Sequence, residues 1–286
     1  MKKLLAILLV ICMLATVLAA CSDKDKDKDD NWFVEDSVGL TYQLNEDGLG
    51  YTVIDIGTCT DTDLVIPKSY NGLPVTGIGE RAFYCCSSLK SVTICDSVTS
   101  IGGDAFYNCS SLTGVYIADI AKWCNISCSN YYANPLYYAK NLYFNGELVT
   151  DLVIPEGVTS IGSGAFSGCS SLKTVTIPDS VTSIGSAAFG HCNNLTSVTI
   201  GNGVSEIGYG AFRSCGSLAS VIIGNGVTNM GSCSFADCGR LVRINYSGTM
   251  SQWSKISSEG FFWNLNMGYY IVNCTDGRLT ESGAKE

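Results

Sequence analysis

Fifteen cysteines and a single histidine are the residues of this 286-residue chain with the widest chemical repertoire. Cysteine can serve as a nucleophile, a soft metal ligand or half of a disulfide, and its spacing and neighbours decide which of these is open to it. His191 stands beside Cys192, so a nucleophilic pair is the first arrangement to weigh. Such a pair needs the imidazole within hydrogen-bond reach of an accessible thiolate, and a third group to orient it. Adjacent residues here point to opposite sides, Cys192 inward and His191 to the surface, so the pair is not expected to form. Cys124 and Cys128 have the spacing of one half of a zinc site, but no second pair and no nearby histidine follows them. A local disulfide or free thiols suit them better than metal. The chain contains no G-x-S-x-G elbow, no H-E-x-x-H and no phosphate-cradling glycine loop, and its carboxylates are scattered singly. The expectation is a protein without catalytic residues, cofactor or metal.

The cysteines carry a different message through their period. Cys86, Cys109, Cys169, Cys192, Cys215 and Cys238 each follow by three residues a phenylalanine: Phe83, Phe106, Phe166, Phe189, Phe212 and Phe235. The steps are 23 residues, apart from one step of 60. Self-similarity at a fixed period of this size is the mark of a solenoid, whose units bury their apolar faces only by stacking. Phenylalanine then fills the centre of each coil, with cysteine beside it as a small buried hydrophobe. Bridges between neighbouring coils remain geometrically open, since strands about 4.8 Å apart fall within the range of a disulfide. Identical stacked side chains project in parallel, however, which favours free thiols over bridges or metal.

The rest of the repeat supplies the elements that hold these positions. Leu172, Val175 and Ile177, like Leu195, Val198 and Ile200, follow the L-x-x-L-x-L spacing of a leucine-rich repeat, and the V-x-I alternation marks a short strand with one face inward. Pro178-Asp179-Ser180, Gly201-Asn202-Gly203 and Gly224-Asn225-Gly226 supply turns after the strands. Val181 and Ile184 point back inside, Gly185 allows a further bend, and Ala188-Phe189 with Cys192 forms a short helical turn. The expected fold is a leucine-rich-repeat solenoid, mainly β: a parallel sheet of short strands, short helical turns on the outer side and 23-residue repeats. The signature I-G-x-x-A-F-x-x-C-x-x-L resembles the BspA-like family of leucine-rich-repeat surface proteins, over roughly Leu40 to Gly277. That resemblance implies attachment to host matrix proteins or to other cells. One departure stands out: Ser180 replaces the asparagine or cysteine expected three residues after the strand, so the turn must close differently.

The 60-residue step marks a duplication. Thr62-Asp63-Leu64-Val65-Ile66-Pro67 returns as Thr150-Asp151-Leu152-Val153-Ile154-Pro155. Trp123, Ile126, Tyr131-Tyr132 and Asn134 correspond at an offset of 130 to Trp253, Ile256, Phe261-Phe262 and Asn264. The chain therefore divides into a first module, 39–147, and a second, 148–277, each with a tryptophan-bearing closing element, followed by a tail over 278–286. Ile120 with Trp123, and Met250 with Trp253 and Ile256, have the spacing of small helices laid over a last coil.

Ahead of the modules, Lys2 and Lys3 precede an uncharged apolar run, so 1–20 reads as an export signal. Leu18-Ala19-Ala20-Cys21 resembles the bacterial lipobox, which implies acylation of Cys21 and a lipoprotein held at the bacterial cell surface. Residues 21–38, rich in alternating Lys and Asp, have nothing apolar to bury and serve as a flexible tether.

A net charge of −9 repels nucleic acid and anionic membrane surfaces, which leaves the lipid anchor as the membrane contact. What remains to recognise a partner is the outward face of the strands. One row presents Thr93, Tyr116, Thr176, Thr199, Ile222 and Asn245, and the next Ser91, Gly114, Thr174, Ser197, Ser220 and Arg243. Hydroxyl-rich strips suit hydrogen bonding to a protein or a glycan, although threonine is also simply a good exposed strand residue. Tyr131, Tyr132, Phe261 and Phe262 are expected as exposed aromatic contacts. The leading expectation is protein interaction or adhesion to host or cell surfaces, and the alternative is capture of polysaccharide by a glycan-binding surface lipoprotein.

Overall fold

The computed structural model describes residues 36–258, 264 and 266–282; the export signal, Cys21, Phe261 and Phe262 lie outside the described residues. Two compact units contain them, one of residues up to 123 together with 132–149, the other of 124–131 together with 150 onward. The segment 124–131, expected in the first module, groups with the second unit. Its backbone lies on that unit's first coil: Gly162 N–H donates to the Cys124 carbonyl at 2.7 Å and Cys128 N–H to that of Ser163 at 3.1 Å.

In the second unit, the described coils stack through three ladders. The first is a seven-stranded sheet in which Asp151–Val153, Thr174–Ile177, Ser197–Ile200, Ser220–Ile223 and Arg243–Tyr246 run parallel. Register advances by 23 residues, Val175 against Val198 and Val198 against Val221, so like residues stack on like. Tyr269–Cys274 extends the sheet in parallel, and Gly277–Ser282 closes it antiparallel. A second sheet joins the two-residue strands Ser160–Ile161, Ser183–Ile184, Glu206–Ile207, Asn229–Met230 and Ser257–Ser258. The sequence pointed only to a bend near Gly185. A strand forms just before it because Ile184 faces the core while Thr182 N–H and Gly185 N–H donate to Thr159 and Ile161 of the coil before.

The third ladder is the turn around phenylalanine. Its two flanking positions are left-handed in each coil from Phe166 to Phe235, for example Ala187 and His191 around Phe189, and Gly210 and Ser214 around Phe212. This alternation aims every second N–H along the stack: Ala187, Phe189 and His191 donate to the carbonyls of Tyr209, Ala211 and Arg213. The intervening amides close i to i+3 turns, Gly190 onto Ala187 and Cys192 onto Phe189. The expected outer turns are thus present, but left-handed residues stop them from propagating as helix. Helices among the described residues are short: Ile120–Cys124, Leu136–Ala139 and Met250–Trp253.

The core follows from these ladders. Phe166, Phe189, Phe212 and Phe235 are fully buried and stack with centroids 5.1 to 5.3 Å apart and planes within 9°. Burying each ring contributes about 2 to 3 kcal/mol. At the last coil, Met250–Trp253 is held by a capping box in which Thr249 accepts from Gln252 N–H and the Gln252 side chain accepts from Thr249 N–H. Trp253 is buried against Tyr246, with ring centroids 5.3 Å apart.

The first unit uses the same parts. Asp63–Val65, Ser91–Ile94, Gly114–Ile117 and Leu142–Phe144 form a parallel ladder, and Glu147–Leu148 pairs antiparallel at its end. A second ladder runs through the hairpin Thr41–Leu44 and Tyr51–Asp55 to Leu73–Ile78 and Ser100–Ile101. Phe83 and Phe106 stack at 5.1 Å, and Trp123 is buried at the close of the unit.

Candidate interaction surface

Most of the ladder thiols belong to the interior, whereas Cys85 is exposed and Cys59, Cys233 and Cys274 are half-buried. Cys109, Cys169, Cys192, Cys215 and Cys238 have no exposed surface, Cys86 is half-buried, and all thirteen described cysteines are unbridged. The ladder thiols also have a polar role that their period did not reveal. Cys192 Sγ donates to the Phe166 carbonyl of the preceding coil at 3.2 Å, Cys215 to Phe189 at 3.2 Å and Cys238 to Phe212 at 3.1 Å. In the first unit Cys109 donates to Phe83 at 3.1 Å. Valine would fill the space but could not donate, which accounts for cysteine at this position. Burial pushes the Cys109 and Cys128 thiols up to about 12, far from the thiolate that nucleophilic attack requires.

His191 departs from its expected place in solvent. It is half-buried, with Tyr131 edge-on at 5.3 Å between ring centroids. Tyr131 is itself half-buried, which corrects its assignment as an exposed contact. Cys192 faces the Phe166 carbonyl inside the coil, so the neighbouring histidine and thiol diverge. Cys124 and Cys128 are buried, and no group of three metal-ligating side chains occurs among the described residues.

The strand face of the second unit is the more open of the two. Thr176 and Ile222 are exposed, Thr199 and Asn245 are half-buried, and the row runs in register from Val153 to Asn273. Asn273 Nδ2 donates to Asn245 Oδ1 at 2.8 Å, fixing the end of the row. In the neighbouring row Ser197 and Ser220 are half-buried and Arg243 exposed, but Thr174 is committed locally. Its hydroxyl donates to Asp151 at 2.6 Å and, with Thr150, holds that carboxyl below the usual carboxylate range.

The first unit presents a different face. Ser91 donates to Asp63 at 2.6 Å, repeating the Thr174–Asp151 arrangement. Thr93 is only 4% exposed, which removes it from the outward strip; its register neighbours are Val65, 6% exposed, and Tyr116. The corresponding Val153 is 63% exposed, so the duplicated strands differ in cover and not in sequence pattern. Tyr116 stacks on Tyr143 at 4.6 Å, and the rings occupy the space beside Gly114, where a Cβ would stand 3.0 Å from the Tyr116 ring. Burial, then Tyr143 and Asp63, raise the Tyr116 phenol.

Tyr132 is exposed, as expected, and it belongs to a tyrosine row outside the expected strip. Tyr84 and Tyr107 follow Phe83 and Phe106 by one residue and stack at 5.1 Å; Tyr107 meets Tyr132 edge-on at 5.2 Å, and Tyr132 meets Tyr137 at 5.4 Å. The signal was present in the period, because the same position in the other coils holds Ser167, Gly190, Arg213 and Ala236.

In-register parallel coils with inward Leu, Val, Ile, Phe and Cys define a leucine-rich-repeat solenoid. The chain belongs to the BspA-type leucine-rich repeat family, whose region matches in six copies over residues 58–134 and 138–267. Solved structures similar to it include a leucine-rich repeat protein of T. pallidum, 28% identical, covering 73% of this chain and 83% of that one with a TM-score of 0.42. A leucine-rich cell surface protein of Faecalibacterium prausnitzii is 24% identical, covering 82% and 100%, with a TM-score of 0.34. A leucine-rich repeat protein of Bacteroides ovatus is 21% identical, covering 85% and 71%, with a TM-score of 0.45. No curated protein matches the sequence.

Proposed function

We propose that this is an exported, lipid-anchored protein of the bacterial cell surface that binds a protein partner and performs no catalysis. The observation that carries the reading is the strand face of the second unit, where Thr176, Thr199, Ile222 and Asn245 form an outward row while the ladder thiols Cys169, Cys192, Cys215 and Cys238 are turned into the core. A rigid ladder presents such a row without further ordering cost, which favours binding by preorganisation. Membership of the BspA-type family and the export signal with its lipobox-like Cys21 support placement outside the cytoplasm.

Two measurements test it. Labelled fatty acid fed to expressing cells should enter the wild-type chain and be absent from Cys21→Ser; equal labelling would remove the anchor. The mature chain, applied to an array of purified host matrix proteins, mucin and polysaccharides, should bind protein spots. The double variant Thr176→Lys, Ile222→Glu should weaken that binding while leaving the fold intact. Silence at every protein spot contradicts the reading.

A further inference from the structure

We propose that the tyrosine row of the first unit is a docking surface for an acidic protein partner, an inference that rests on the protein-binding reading above. Ten of the fifteen tyrosines lie in this unit. Tyr84, Tyr107 and Tyr132 are 45%, 36% and 40% exposed although each packs against the next, so the row is rigid and still open to solvent. The solenoid does not require them: the second unit builds the same turn with Ser167, Gly190, Arg213 and Ala236.

The chemistry of the surroundings names the partner. Exposed Ser87, Ser88, Ser110, Ser111 and Asn108 flank the rings. Tyrosine interleaved with serine and asparagine is the composition of protein-binding paratopes, where rigid amphipathic rings supply contact area at low entropic cost. Because Tyr84 and Tyr107 lie face to face, with planes within 11°, they present edges and hydroxyls to a ligand and not the open ring faces on which a sugar stacks. The charged groups on the rings are cationic: Arg81 Cζ sits 5.6 Å from the Tyr84 centroid and Lys140 Nζ 4.5 Å from that of Tyr137. Asp104 pairs with Arg81 at 4.0 Å, the arginine side chain being the more exposed of the two, and Glu80 lines the groove with Gln43 and Thr52. In a chain of net charge −9, a surface offering phenolic donors with Arg81 and Lys140 complements carboxylates.

The test uses the full mature chain on the same array, with the double variant Tyr84→Ser, Tyr107→Gly, which installs residues that the second unit carries at this position. Its melting should match the wild type. Affinity for acidic protein spots should fall at least about ten-fold, as expected when central tyrosines are lost, and Arg81→Glu should produce a comparable fall. Unchanged protein binding in both variants overturns the inference. If the strand-face variant alone loses binding, protein recognition stands and the tyrosine row is excluded. A loss confined to polysaccharide spots overturns the inference in favour of a glycan site. Absence of any protein binding by the wild type overturns both readings.

Discussion

At the residue scale, the coil uses cysteine for two properties at once: its volume fits beside the phenylalanine stack and its thiol donates to the carbonyl one coil back. Cys192→Val retains the first and loses the second, so it should destabilise by about 1 kcal/mol, whereas Phe189→Ala should cost about 3 to 5 kcal/mol; chemical denaturation separates the two. Ser234 is the reverse case. It is fully buried where the other coils hold alanine, and its hydroxyl has no hydrogen-bond partner. Ser234→Ala should therefore stabilise the protein by about 1 kcal/mol, and a lower denaturation midpoint would refute that. The thiols also set a pH dependence. Folded Cys128 keeps its proton to about 12, while an unfolded thiol loses it near the ordinary value of 9.0. Between those limits the unfolded chain holds fewer protons, so stability falls as pH rises, by about 1.4 kcal/mol per pH unit for this thiol, and is unaffected by it below them. Equilibrium unfolding from pH 8 to 11 measures the slope.

At the element scale, the strands and their register were legible because V-x-I alternation and a 23-residue period leave little choice of face. The same pattern placed the phenylalanines, which are fully buried, and the cysteines, of which Cys86 is only half-buried. Two features were hidden. The second ladder uses strands of two residues, too short for any alternation to register, and the phenylalanine turn depends on left-handed residues as varied as Arg81, Asp104, Ala187 and Cys233. Among the twelve, Gly164, Gly168 and Gly210, and to a lesser degree Asn108, Asp104 and Asp237, advertise that conformation. The coil corners are stricter. A Cβ on Gly203 would stand 1.8 Å from the Asp179 carbonyl oxygen, and one on Gly226 1.9 Å from that of Asn202. Gly203→Ala should thus cost about 1 to 3 kcal/mol, the range of an overpacked site, while Thr176→Ala on the open face should stay within about 0.5 kcal/mol.

At the scale of the whole molecule, duplication explains both what the sequence conveyed and what it withheld. The repeated D-L-V-I-P strands and tryptophan elements pointed to two modules, without the crossing of 124–131 into the second unit, and the period is blind to cover, so Thr93 and Thr176 look equivalent while one is buried and the other exposed. Tyr131 and Tyr132 were read as a pair, yet adjacent positions send one ring to His191 and the other to the Tyr107 row. The units have kept one core and diverged in surface, hydroxyl-rich in the second and tyrosine-rich in the first. That division, with structure carried inside the coils and recognition on their faces, is the central claim. Its most direct test is to measure melting and partner binding side by side on the same preparation of the Thr176→Lys, Ile222→Glu variant. The account predicts melting close to wild type with binding weakened; full binding by a normally folded variant would contradict it.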